Sequence, residues 1–313
     1  MKRLRWLFVL LGLVSAVLAV RFVLSFPWAG TVDTIVDADW WLLAAASVAN
    51  LVSLAAKGWA WHLLLRPAAP HRWRTAQAAT FVGAAVNSVS VAVSGEAARI
   101  QVAASRDGVP VGAAVWSLVW ARVIEAVALV LFLAVALAMI PTNGWLRTLE
   151  VSAWLVLLLL VLLTVFGIWP RLVGLLPAGW RPQLQGPSGA IEPARLVAPL
   201  ALAVVNWVAQ WITYHWAIGA THVSTSAAVS LVALVAANLG GFFRVTPGNV
   251  GVLQASLVLG MLAFGIAEDQ ALAAGLALQA VQVLPVIAIG VALVGAQGLR
   301  SLSAKRAESM GAA

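Results

Sequence analysis

Six blocks of apolar residues, at 6–26, 40–65, 111–140, 151–170, 195–218 and 271–299, punctuate the chain. Each approaches or exceeds the roughly 20 residues that a helix needs to cross a bilayer. Two further apolar stretches are interrupted, 76–105 at Ser94-Gly95 and 227–267 between Arg244 and Gly251. Each interruption leaves halves too short, or barely long enough, to span, so both stretches are expected to form re-entrant hairpins. The pattern predicts an all-α polytopic membrane protein: about six transmembrane helices plus two re-entrant helical hairpins in one integral membrane domain, 1–313.

Composition strengthens this picture. Hydrophobic residues make up 63% and charged residues 10% of the chain, with a mean hydropathy of +0.98, which excludes a water-soluble globular domain. The 16 Trp outnumber the single Tyr, and Trp6, Trp28, Trp40, Trp41, Trp145 and Trp169 fall near the ends of apolar runs, as interfacial anchors do. The net charge of +8 comes from basic residues set singly between spans, so no nucleic-acid partner is implied. Cys is absent, which excludes disulfides, thiolate metal sites and a Cys nucleophile. The basic start followed by apolar residues to Phe26 is longer than a signal-peptide core and is expected to be a retained first helix.

Lys and Arg collect in cytoplasmic loops. With the amino terminus inside and both hairpins re-entrant, the basic residues of 2–5, 66–74, 99–106, 171–195 and 300–306 fall on the cytoplasmic side, and only Arg147 lies outside. Asp33, Asp37, Asp39, Glu268 and Asp269 then occupy outer loops. The expected location is the cytoplasmic (inner) membrane, with both termini cytoplasmic. A polar linker, 171–194, divides a first half, 1–170, from a second, 195–299, and a cytoplasmic tail, 300–313, follows. Arg21, Lys57, Arg122 and Arg244 remain within apolar segments; Arg21 and Lys57 lie near span ends and are expected to snorkel.

The interrupted stretches echo one another: each carries an Asn, an apolar run, a Ser/Thr and Gly break, and a short helix. In this threading one enters from each side, an inverted pair of the kind that builds secondary transporters. Gly95, Pro247, Gly248 and Gly251 are the expected helix-break residues. Exposed helix N-termini at such breaks favour an anionic group.

Charges inside the apolar segments are the candidate chemistry. Arg122 and Glu125 share a helix face at i,i+3 and are expected to pair. Glu96 suits the first turn of a short helix, with Arg99 on the same face. Arg244 has no acidic neighbour in sequence, and its guanidinium suits a phosphate. Asn87, Asn206, Asn238, Gln254, Gln279 and Gln282 add neutral polar groups that bond across helices or line a hydrated cavity. His62, His71, His215 and His222 lack metal-ligand spacing, and no nucleotide-binding or hydrolase motif occurs; no metal, cofactor or catalytic residue is implied.

GEAARIQVAASRDGVPVGAAVWSLVWARVIEAV (95–127) resembles a "GE..R" block with its following "eR" helix, and TPGNVGVLQASL (246–257) resembles "PGGxGxxE". Both are motifs of the lysylphosphatidylglycerol synthase transmembrane-domain (flippase-like) family, and the resemblance extends over essentially the whole chain. Gly95, Glu96, Arg99, Arg122, Pro247, Gly248 and Gly251 match; Asn249 stands where the family usually has Gly, and Gln254 where it usually has Glu. An amide cannot exchange a proton at neutral pH, which puts in doubt any coupling role for position 254.

The resemblance implies a protein that moves a lipid or polyprenyl-linked headgroup across the membrane. Some members carry a fused aminoacyl-lipid synthase, for which the short tail after Arg300 leaves no room, so a coupled lipid-modifying enzyme is expected as a separate partner. The leading expectation is a non-enzymatic transporter of a phospholipid or polyprenyl-phosphate-linked headgroup. Its substrate site would be Glu96, Arg99, Arg122, Glu125, Arg244, Asn249 and Gln254. The alternatives are a polyprenyl-phosphate glycosyltransferase using Asp33, Asp37 or Asp39, and a non-transporting membrane scaffold.

Overall fold

The first long helix starts where Asp39 turns its carboxylate onto the amides of Trp41 and Leu42, at 3.0 and 3.1 Å, a side-chain N-cap. The structure is a computed structural model, described for residues 33–90, 94–139, 193–241, 249 and 251–311. The predicted spans 6–26 and 151–170, most of the linker 171–194, and Arg244, Pro247 and Gly248 lie outside these residues. Among these residues the principal helices are α1 (Trp40–Leu65), α2 (Trp73–Val89), α3 (Ser94–Asp107), α4 (Val111–Ala138), α5 (Pro193–Ala220), α6 (Ala227–Gly240), α7 (Val252–Leu262) and α8 (Glu268–Gly311). Within α1, α4, α5 and α8 lie stretches long and apolar enough to cross a membrane. The protein is therefore an all-α polytopic membrane protein.

The interrupted stretches are pairs of short helices. At 17, 14, 14 and 11 residues, α2, α3, α6 and α7 all fall below the length of an ordinary span. α2 returns through α3 to the end it left, because Arg72 before α2 is bonded to Asp107 at the end of α3. α6 and α7 also run antiparallel: Gly240 lies on Ser256, and Gly260 lies on Ala236.

Two boundaries differ from the sequence reading. Ser94-Gly95 is the first turn of α3 and not the break, which falls after Val89, where Ser90 turns extended. Gly95 instead permits close approach of the two helices. Its amide donates to Asn87 Oδ1 at 3.0 Å, and a Cβ on the facing Gly83 would come within 2.7 Å of the Gly95 carbonyl oxygen. The last helix starts at Glu268 and runs on to Gly311, through the segment expected to be a tail. Its acidic first turn favours the start, and the Ala, Lys, Arg and Glu of 304–308 are good helix formers.

Small residues fill the helix contacts, with Ala46, Ala217, Ala233 and Ala274 fully buried, as expected where apolar helices associate by close packing. Polar groups tie α1, α5 and α8 together. Ser53 donates to Asn206 Oδ1 at 2.7 Å, Gln210 donates to Asn50 and Ser53 at 3.0 and 2.8 Å, and Gln282 donates to Gln210 at 3.1 Å.

The ends of α1 define the two ends of the bundle. At its start, the Asp39 amide donates to the Ala220 carbonyl at 2.8 Å, so α1 and α5 are antiparallel and the α6–α7 hairpin begins at this end. At its finish lie the Arg72–Asp107 contact and Arg106, which donates to the Leu293 carbonyl of α8 at 3.3 Å. The two hairpins thus open at opposite ends of α1.

Candidate functional site

Three helices bring five charged side chains together inside the bundle. α1 contributes Lys57, α3 contributes Glu96 and Arg99, and α4 contributes Arg122 and Glu125. Lys57 Nζ lies 3.1 Å from Glu125 Oε1, and Arg122 Nη1 donates to Glu125 Oε2 at 3.0 Å. The other Arg122 amino group bonds Glu96 Oε1 across to α3. Arg122 is thus the bridge between the carboxylates, and at 47% side-chain exposure it is the outermost of the five.

Arg99 is held differently. It is only 5% exposed, and its guanidinium lies 4.2 Å from the centre of the Trp61 ring, a cation–π contact. Trp61 follows Lys57 by one helical turn and is itself pinned by a 2.9 Å bond from its Nε1 to Ser117 Oγ on α4. Nε and Nη2 of Arg99 are buried with no hydrogen-bond partner among the described residues, and so is Oε2 of Glu96. The cluster sets three cations against two carboxylates, and its unfilled donors belong to the most buried cation. Such groups are costly to bury unpaired.

The second interrupted stretch carries a separate set of contacts. Gly251 sits at φ 86 and Asn249 at φ 59, the left-handed region where Gly is freest and Asn is among the most tolerated of the rest. Gln254, 1% exposed, accepts the Gly251 amide at 2.7 Å and donates to Gln279 on α8, capping its own helix. Asn249 Oδ1 is buried without a partner among the described residues.

The structure therefore joins Glu96, Arg99, Arg122 and Glu125, and adds two residues that the sequence did not point to. Lys57 does not snorkel; it turns inward to Glu125. Its depth was the available signal: it precedes Leu65 by eight residues, about 12 Å of helix, too far for comfortable escape. Trp61 carried no signal, because an intramembrane aromatic reads as core. Of the acids expected in outer loops, Asp39 caps α1. No group of three or more metal-binding side chains occurs among the described residues.

The family model described as the lysylphosphatidylglycerol synthase TM region matches residues 8–290. The chain belongs to this family. A comparison with curated proteins finds no match. In this lysylphosphatidylglycerol synthase TM region, the first motif supplies the charged cluster through Glu96 and Arg99, and Arg122 closes it from α4. At the second motif the two departures have local explanations. Asn249 adopts the positive φ that a Gly there would adopt, and Gln254 keeps the capping bond that its side-chain oxygen provides.

Proposed function

We propose that the protein translocates a lipid headgroup carrying a phosphate across the cytoplasmic membrane, with the Lys57–Glu96–Arg99–Arg122–Glu125 cluster as the headgroup site. The observation that carries this reading is Arg99: a buried guanidinium with two nitrogens, Nε and Nη2, unfilled among the described residues, in a cluster with one more cation than carboxylate. A phosphate oxygen satisfies those donors by charge-assisted hydrogen bonds. The free Oε2 of Glu96 accepts from a hydroxyl or ammonium on the same headgroup, which favours a phospholipid or polyprenyl-phosphate-linked group that also bears a donor.

The two hairpins, opening at opposite ends of α1, support an inverted-repeat transporter in which each hairpin serves one face. In this reading the chain is a transporter and not an enzyme, both termini are cytoplasmic, and Arg244 joins the site from the second hairpin. No specific observation favours the glycosyltransferase, since Asp39 already caps α1.

Reconstitution into vesicles with labelled phospholipids tests the proposal. The wild type is expected to raise the flip rate of an anionic lipid above that of protein-free vesicles. Arg99→Gln is expected to reduce it roughly 10–100-fold, the worth of hydrogen bonds to a charged group. Rates equal to those of protein-free vesicles for every lipid tried would sink the reading.

A further inference from the structure

A second basic site lies on the far side of α1. A cleft of about 650 Å³ opens between the end of α1 and the start of α2, lined by Trp59, His62, Arg66, His71, Arg72, Trp73 and Arg74, within the size range of small-molecule sites. At about 100° per residue, Trp59, His62 and Arg66 fall roughly 140–200° around α1 from Lys57, so the cleft and the charged cluster occupy opposite faces of one helix.

The cleft is built and not merely basic. Trp59 and Trp73 stack with ring centres 5.2 Å apart and planes 8° from parallel. His62 and His71 are joined through Nδ1 and Nε2 at 2.8 Å. Because a carbonyl can only accept, the 2.9 Å contact to Ala69 O puts a proton on His71 Nδ1. In the neutral pair, His71 Nε2 then accepts from His62, and both rings are fixed.

The charge of Arg72 is balanced by Asp107, with Nε donating at 2.9 Å and Nη2 at 2.6 Å. Arg66 and Arg74 have no acidic partner among the described residues; the Arg74 guanidinium lies 5.5 Å from the Trp73 ring centre. The start of α2 adds its positive dipole end. Two free guanidinium groups over an aromatic floor suit a phosphate.

What distinguishes a lipid from a soluble phosphate is the surface below. Val48, Val52 and Trp59 are 61%, 48% and 41% exposed, and all three share a face of α1 within about 40°. This apolar strip runs from the cleft along a helix long enough to cross the membrane, and so offers an acyl chain a track.

We propose that this cleft binds the phosphodiester of an anionic membrane phospholipid at the bilayer surface, with Arg66 and Arg74 on the phosphate and an acyl chain along Trp59, Val52 and Val48. The site is independent of the intramembrane cluster and does not rest on transport.

The test uses the full chain in phosphatidylcholine nanodiscs doped with a photoactivatable phosphatidylglycerol, with crosslinks mapped by peptide mass spectrometry. Crosslinks within residues 59–74 are expected in the wild type and in the Lys305→Gln control. Arg66→Gln/Arg74→Gln is expected to lower them roughly 30-fold, since each cation near an anionic surface is worth about five-fold. Both arginines are exposed, so unchanged thermal melting should confirm that this variant is folded. An undiminished yield in the double variant overturns the proposal. Competition by millimolar inorganic phosphate overturns the lipid assignment in favour of a soluble phosphate.

Discussion

Glu125 holds two cations at once, Lys57 at 3.1 Å and Arg122 at 3.0 Å, so its loss strands charge inside an apolar bundle. Glu125→Gln is expected to cost about 1–3 kcal/mol, less than for a fully buried pair because these side chains are only partly buried. Adding Lys57→Met removes one of the stranded cations, and a coupling of about 1–3 kcal/mol between the two changes is expected. Unfolding of the four proteins of this cycle in detergent measures it; strictly additive losses would show that the Lys57–Glu125 contact contributes nothing. Arg99 is a different kind of residue. Its guanidinium lies over the Trp61 ring and makes no ion pair among the described residues, which is why the proposed phosphate contact is assigned to it.

At the scale of elements, the α2–α3 hairpin is fastened at both extremities. Asn87 takes the Gly95 amide near the turn, and Arg72 grips Asp107 at the open end. Partial burial works to raise the Asp107 pKa, but the side-chain and backbone hydrogen bonds from Arg72 and the bond from Thr75 outweigh it, and the carboxyl is held below its ordinary value. A depressed carboxylate adds stability that is complete above the ordinary carboxylate range and is lost as pH falls through the lowered value. The hydrogen-exchange protection of 94–107, taken relative to the intrinsic amide rate at each pH, is therefore expected to fall on acidification below the ordinary carboxylate range in the wild type. Asp107→Asn should show the lower protection already at neutral pH, without that acid limb; a parallel acid response in both proteins would rule Asp107 out as the cause.

Sequence made some of these elements plain and hid others, for physical reasons. The helix at 40–65 is legible to the residue because a long, mostly apolar run ends just before Pro67. Gly95 is not, because a glycine that lets helices touch and one that stops a helix look alike in one dimension. Arg122 and Glu125 announce their pairing by i,i+3 spacing. The partnership of Glu96 with Arg122 spans 26 residues, and only the packing of α3 on α4 creates it.

For the whole molecule, sidedness is the property on which the proposed transport depends. Ser224 follows α5 at the end of the bundle where Asp39 meets Ala220, and Ser105 lies near the opposite end, beside Arg106 and Asp107. Because the chain has no Cys, Ser105→Cys and Ser224→Cys each introduce a unique thiol at an exposed position. An impermeant maleimide added to intact cells is expected to label the thiol at 224 and to reach the one at 105 only after lysis, given the excess of basic residues at the latter end. Reversed labelling would invert the topology, and labelling of both thiols in intact cells would contradict a single orientation.

The double fastening of α2 to α3 also limits how the bundle can rearrange. A pair of rods joined at both extremities cannot part like scissors; it can swing only as one stiff panel on the connectors before Trp73 and after Asp107. Gly108, at φ 65 and with open space around its Cα, lies in the second connector. Motion pivoting there would carry Glu96 and Arg99 past Arg122 together, so the Glu96–Arg122 ion pair would break or form in a single stroke.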